Sequence, residues 1–176
     1  SPNAAEALKA VANQGYAPAQ YQLGAIYGGS GKFGTGKFAA KDEVQGRVWT
    51  QRAADGGMAA AMNDLAILLY NGEGGSQDPA MAAMWFRKAA EHGVKDSQYS
   101  LGLLYRDGVG VPINPTEAYK WLSIAASNGD KGAAKEAARI KSQLTDVQLQ
   151  KAEDAISHFT TQSDSVASVG TAQKPS

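Results

Sequence analysis

Apolar residues along this chain recur in helical phase, and the phase itself repeats. Between Val94 and Asp107, positions Ser97, Leu101, Gly102 and Tyr105 fall at i, i+4, i+5 and i+8, one stripe of a helix. Gly108-Val109-Gly110-Val111-Pro112 then breaks the helix and turns the chain. Asn114-Pro115 opens a second helix: Asn is a good N-cap, and Pro at the first helical position gives up an amide that had no partner. Its buried stripe is Ala118, Trp121 and Ala125. The same stripe is predicted for Ala82, Trp85 and Ala89 behind Asp78-Pro79. It is predicted again for Gly46, Trp49 and Ala53 behind Asp42-Glu43, where a carboxylate meets the positive end of a helix. The first helices align as Leu23-Gly24-Tyr27, Leu65-Ala66-Leu69 and Leu101-Gly102-Tyr105. Tyr70 falls one step past the Tyr position and is predicted to turn toward solvent. Gly102 costs about 1 kcal/mol of helix propensity against Ala, which makes sense where a partner helix comes close.

Trp49, Trp85 and Trp121 stand 36 residues apart. Four residues after each comes an Ala pair, and eight after each a glycine (Gly57, Gly93, Gly129) placed for a left-handed helix end. Self-similarity of this kind predicts an all-α solenoid of about four helical hairpins, each burying its apolar face against its neighbours. Ala4 to Gln14 reads as the second helix of a partial unit ending at Gly15. The fourth unit fades to Ala133, Ala137, Ala138 and Lys141, as a terminal cap does. Thr145 with Gln148 forms a capping box that opens a last, capping helix through Val147, Leu149, Ala152, Ile156 and Phe159. The solenoid is thus expected over residues 4–159, with 160–176, rich in Ser, Thr, Gln and Gly, as a linker or disordered tail.

Composition narrows the function. Formal net charge is zero over 176 residues and the basic residues are scattered, so no nucleic-acid footprint appears. Cysteine is absent, which removes disulfides, thiolate metal sites and cysteine nucleophiles. No apolar run reaches the roughly 18 residues that span a bilayer. The chain begins Ser1-Pro2 without Met and reads as a piece of a longer protein, so any membrane contact is expected through the intact protein's anchor. His92 and His158 lie far apart with no second ligand at usable spacing, and Glu153-Asp154 reads as a solvated face. No metal, cofactor or catalytic set is therefore expected. The Trp stripe shares its phase with the Ala pairs and reads as core.

One segment departs from the repeat. Tyr27 and Asp42 stand 15 positions apart, against 9 for Leu69–Asp78 and Tyr105–Asn114. Within it, Gly31 to Lys37 fits most of a phosphate-binding loop, but Phe38 occupies the Ser/Thr position that holds magnesium and a helix precedes it rather than a strand. It reads as an insertion, either incidental or a partner-binding loop in which Lys32, Phe33, Lys37 and Phe38 make contact.

The pattern A-x-x-W-[FL]-x-x-A-A-x-x-G is carried by Ala82 through Gly93. The run [AS]-Q-Y-x-L-G is carried by Ser97 to Gly102 and by Ala19 to Gly24. Together they resemble the Sel1-like repeat, a relative of the tetratricopeptide repeat. Gly46 and Thr50 depart from it in the first unit. Sel1-like proteins are known mostly as adaptors, so the resemblance implies a non-catalytic protein–protein interaction scaffold. Gln22, Asp64 and Ser100, between the buried positions of the first helices, would line its concave face. The stretches Ala61 to Ala66, Trp85 to Tyr99 and Glu117 to Leu122, with the closing Leu144-Thr145 helix, resemble the periplasmic repeat region of PodJ-type polar localisation factors. That resemblance implies the periplasmic part of an inner-membrane protein at the cell pole, with a sensor-kinase periplasmic domain or a cell-wall enzyme as partner. The competing reading is a peptidoglycan- or glycan-binding module, for which Tyr16, Phe33, Phe38 and Tyr70 are the exposed aromatic candidates.

Overall fold

The computed structural model describes residues 2–29 and 41–164; Lys32, Phe33, Lys37 and Phe38 lie outside them. Among the described residues the chain forms nine α-helices and no strand. They belong to two compact units. The first, with Ser163 and Asp164, holds α1 (Pro2–Asn13), α2 (Ala17–Gly28), α3 (Glu43–Asp55) and α4 (Ala59–Asn71). The second holds α5 (Pro79–Glu91), α6 (Lys95–Asp107), α7 (Pro115–Ser127), α8 (Lys131–Lys141) and α9 (Asp146–Ser157). In each unit a helix packs on its successor as far as α8, and α9 packs on α7.

Three backbone devices recur with the sequence period. The amide of the residue opening each Trp helix donates to a carbonyl near the end of the helix before it: Asp42 to Tyr27 at 2.7 Å, Asp78 to Leu69 at 2.8 Å, Asn114 to Tyr105 at 2.9 Å. The first of these closes its hairpin in the same way although six more residues intervene. Asp42 and Asn114 then cap their helices, accepting from the amides of Gln45 and Glu117 at 3.1 Å each. At the far end Gly93 takes φ 89°, a left-handed value that glycine adopts without cost. Its amide and that of Val94 donate to Ala90 and Ala89, closing a Schellman turn. Gly57 and Gly129 repeat this at φ 90° and 97°. The Ala pair thus supplies the accepting carbonyls, and its first member (Ala53, Ala89, Ala125) a small, fully buried side chain.

The cores follow the predicted stripes. Trp49, Trp85 and Trp121 are 3%, 5% and 2% exposed, so they are packed interior. A cation from the rim (Arg52, Lys88 and Lys120 respectively) lies 4.6 Å from each ring centroid. In the first unit Trp49 packs with Ala12, Ala19 and Leu23. In the second, Leu122 is fully buried where Gly102 makes room: a Cβ there would stand 2.6 Å from Leu122 Cγ. Burying such a leucine contributes about 1.5–3 kcal/mol, more than the propensity lost at the glycine. Tyr70 turns outward at 40% exposure.

Two expectations about phase are corrected. In α8 the buried residues are Ala133, Ala137 and Ile140, while Ala138 and Lys141 are exposed. The stripe follows i, i+4, i+7 and ends in an apolar residue, so this unit fades less than the sequence suggested. Val147 is 80% exposed. It lies five positions before buried Ala152, roughly 140° around a helix of 3.6 residues per turn, and so faces away from α7. The rest of the cap forms as expected. Thr145 and Gln148 complete the capping box, and Phe159, just past the helix, meets Trp121 edge-on at 5.5 Å and 80°. Glu153 is exposed, yet it accepts a 2.8 Å hydrogen bond from the Tyr119 hydroxyl. Of residues 160–176, Thr160–Asp164 are described: Gln162 N–H donates to Glu91 O at 2.8 Å, and Asp164 accepts from Ala59 N–H at 3.3 Å. The remainder of the expected tail lies outside the described residues.

Candidate protein-interaction groove

The first unit carries a groove of about 400 Å³ bounded by α2, α3, α4 and the turn after α4. It exists because α2 and α3 meet at glycines. A Cβ on Gly46 would stand 2.9 Å from Gly28 N and 3.2 Å from Gly24 O, so the two helices touch backbone to backbone. Thr50 closes the contact: its hydroxyl donates to Gly46 O at 2.8 Å, and it lies against the Cα of Gly24, where a methyl group would collide. Gly24, Gly28 and Gly46 line the groove together with Ala25 and Thr50. Gly46 and Thr50, which break the repeat pattern, are here one device with Gly24.

The walls are mixed. α4 contributes Asp64, Ile67 and Leu68, and α2 contributes Tyr21. Asp64 is half-buried and accepts from the Tyr21 hydroxyl and from Asn63. Burial holds its carboxyl above the ordinary value, and the two hydrogen bonds offset this only in part. Burial, and then the charge of Asp64, push the Tyr21 hydroxyl up to about 12, so it stays a neutral donor. Ile67 is 41% exposed. On the opposite side Arg47 turns its Nη1 to the carbonyls of Ser76 at 2.9 Å and Glu73 at 3.4 Å, tying α3 to the turn after α4. Glu43 pairs with Lys41 at 3.1 Å.

The Sel1 repeat profile matches residues 17–58, 59–94 and 95–130, well over half the chain. The chain belongs to the Sel1 repeat family. Its fold is accordingly the all-α class of Sel1 repeat solenoids, and Sel1 repeats generally serve protein–protein contact. A Sel1 repeat protein from Oxalobacter formigenes is 33% identical over 73% of this chain and 36% of its own, with a TM-score of 0.67. The c5321 protective antigen of uropathogenic Escherichia coli, which displays an SLR fold, is 30% identical over 98% of this chain and 36% of its own, at TM-score 0.74. This chain thus spans about a third of either relative. Helicobacter pylori cysteine-rich protein B shares the fold at 22% identity and TM-score 0.55, over 74% of this chain and 95% of its own. No curated protein matches.

In this Sel1 repeat chain, Asp64 lies in the groove, Gln22 is exposed on α2 beside it, and Ser100 is half-exposed on α6 in the second unit. Tyr16 and Tyr70 are 55% and 40% exposed. His92 and His158 each hold a local carbonyl through Nδ1, Lys88 O at 2.8 Å and Asp154 O at 2.7 Å. Among the described residues no group of three His, Asp or Glu is placed to hold a metal ion, and no helix is long and apolar enough to cross a membrane. Sequence reasoning missed two features. Tyr21 follows Gln20 in the repeat motif but was not connected to Asp64, 43 positions on. Buried Gln20 and Gln98 each donate Nε2 eight residues back, to Ala12 O at 3.0 Å and Ala90 O at 3.1 Å, and Gln98 also accepts from Asn128 at 3.1 Å. The recurring Gln of the motif was the available signal.

Proposed function

We propose that this chain is a non-catalytic protein–protein interaction scaffold, and specifically the periplasmic module of a membrane-anchored bacterial cell-polarity factor. The observation that carries the scaffold reading is the α2–α3–α4 groove, a cavity whose mixed polar and apolar lining suits an inserted segment of another protein. The polarity role is supported by the likeness of Trp85 to Tyr99 and of the closing helix to PodJ-type repeat regions. The partner in this reading is a sensor-kinase periplasmic domain or a cell-wall enzyme.

The test uses the full-length gene product in its own cells. This region has no cysteine, so Gln22→Cys and Val147→Cys, at exposed positions, report its compartment through a membrane-impermeant maleimide. Labelling in intact, outer-membrane-permeabilised cells together with a single polar focus of a fluorescent fusion is the expected result. Labelling only after lysis, or a diffuse signal, overturns the polarity role. A glycan-binding reading has one observation in its favour, the exposed Tyr16 and Tyr70. Co-sedimentation with purified sacculi, lost on Tyr16→Ala with Tyr70→Ala, would select it.

A further inference from the structure

We propose that the groove of the first unit receives one basic side chain, lysine or arginine, from an extended segment of a partner protein, with Asp64 as its counter-ion and Ile67 against its aliphatic stem. The proposal rests on the scaffold reading and names the chemistry of the partner at this site.

Charge complementarity argues for a cation. Asp64 sits half-buried on the wall, and among the described residues no basic side chain lies within 4.0 Å of it. Arg47, the cation that lines the same groove, is turned to the carbonyls of Ser76 and Glu73. A carboxylate drawn out of water without a cation is left with part of its desolvation cost, and an incoming ammonium or guanidinium recovers it. Tyr21 fixes the acceptor: its hydroxyl holds Asp64, leaving further lone pairs of the carboxylate for the ligand. The upward shift that burial imposes on Asp64 agrees with this geometry.

Shape argues for a side chain on an extended backbone. A volume of about 400 Å³ lies at the small end of ligand sites. The missing Cβ atoms of Gly24 and Gly46 face the α2–α3 contact, so it is at Gly28 that a partner segment can come close to the backbone. Ile67 and Leu68 offer the apolar wall along which the methylenes of lysine or arginine lie while the charged head reaches a carboxylate. Gly28 lines the groove, and among the described residues a Cβ there meets nothing within 4 Å, which leaves space beside it for an occupant.

The probe is an end-blocked pentapeptide Gly-Leu-Arg-Leu-Gly, with its citrulline counterpart as the uncharged control, titrated into the isotope-labelled chain and followed by amide shifts. Saturable shifts on Tyr21, Ile67 and Leu68 are expected with the arginine peptide, weakened about tenfold or more with citrulline. Asp64→Asn, which keeps an acceptor for Tyr21, and Gly28→Phe, which fills the space, should each weaken binding by a similar factor while the circular dichroism spectrum stays unchanged. Shifts elsewhere, equal binding of citrulline, or undiminished binding by both variants overturns the proposal. So does silence of the wild-type chain, including the case in which a chain lacking residues 30–40 binds, which would make this chain's own segment the occupant. A protein partner captured equally by wild type and Asp64→Asn in cells sinks the groove assignment and leaves the scaffold reading standing. Failure to cross-link any protein sinks the scaffold itself.

Discussion

Gly46→Ala should destabilise this chain, although the repeat pattern and helix propensity both argue the reverse. The matching positions in the other two units are Ala82 and Ala118, both fully buried, and Ala inside a helix gains about 1 kcal/mol over Gly. At Gly46, however, the new methyl would stand 2.9 Å from Gly28 N, 3.1 Å from Gly28 Cα and 3.2 Å from Gly24 O. These are backbone atoms of a packed helix, which cannot swing aside as a side chain does. α2 must withdraw by several tenths of an ångström, stretching the Thr50 contact as well. Overpacking of this kind costs about 1–3 kcal/mol, and backbone neighbours place it in the upper part of that range. Net destabilisation of about 1–2 kcal/mol follows, a fall in Tm of roughly 2–8 °C for a chain of this size. Thermal and urea melts by far-ultraviolet circular dichroism measure it, and amide exchange shows whether protection falls in α2 and α3 first. Gly28→Ala is the control: among the described residues its methyl meets nothing within 4 Å, so stability should hold or rise slightly. If Gly46→Ala melts at or above the wild-type temperature, α2 and α3 are not in backbone contact, and the account of the groove fails.

Three further outcomes are expected. Gln98→Leu removes a fully buried amide that bridges Ala90 O and Asn128 and should cost about 0.5–1.5 kcal/mol in urea melts, the ordinary net worth of an intramolecular hydrogen bond. Removing six residues from within 30–40, to match the spacing of the other hairpins, should leave helicity intact and change stability by about 0.5 kcal/mol or less. The Asp42–Tyr27 bond already closes that hairpin as its counterparts are closed, and a large drop in Tm would contradict this. Asp64→Asn should raise Tm at pH 7 and lose that advantage near pH 3. A carboxyl whose folded value is raised stabilises most when protonated, below its ordinary value, and that contribution is lost as pH rises through the folded value. A pH-independent difference between the two proteins would refute the cause.

Most of the fold was legible because repeat contacts are local. The 36-residue phase of Trp49, Trp85 and Trp121, the N-caps Asp42 and Asn114, and the Thr145–Gln148 box each depend on residues within a turn or a hairpin of one another. What escaped depends on pairs distant in sequence or on rotation. Val147 was placed in the stripe of α9 by its apolar character, yet only α7 backs that helix and the 140° offset turns it out. Gly46 and Thr50 depart from the repeat pattern, and the reason lies on the other helix, where Gly24 packs against them. The same holds for the groove. The pattern places Asp64 between the buried positions of its helix, on the concave face, but its half-burial and its bond to Tyr21 arise from the packing of α4 against α3 and of α3 against α2.

The most direct test of the scaffold account is photo-cross-linking in living cells that express the full-length protein. A photoreactive residue replaces Ile67, which is 41% exposed inside the groove, and in a second strain Val147, which is 80% exposed away from it. The account predicts a discrete protein adduct from position 67, abolished by Gly28→Phe, and none from position 147. Equal adducts at both positions, or none at 67 in a strain where the protein is folded and abundant, would contradict it.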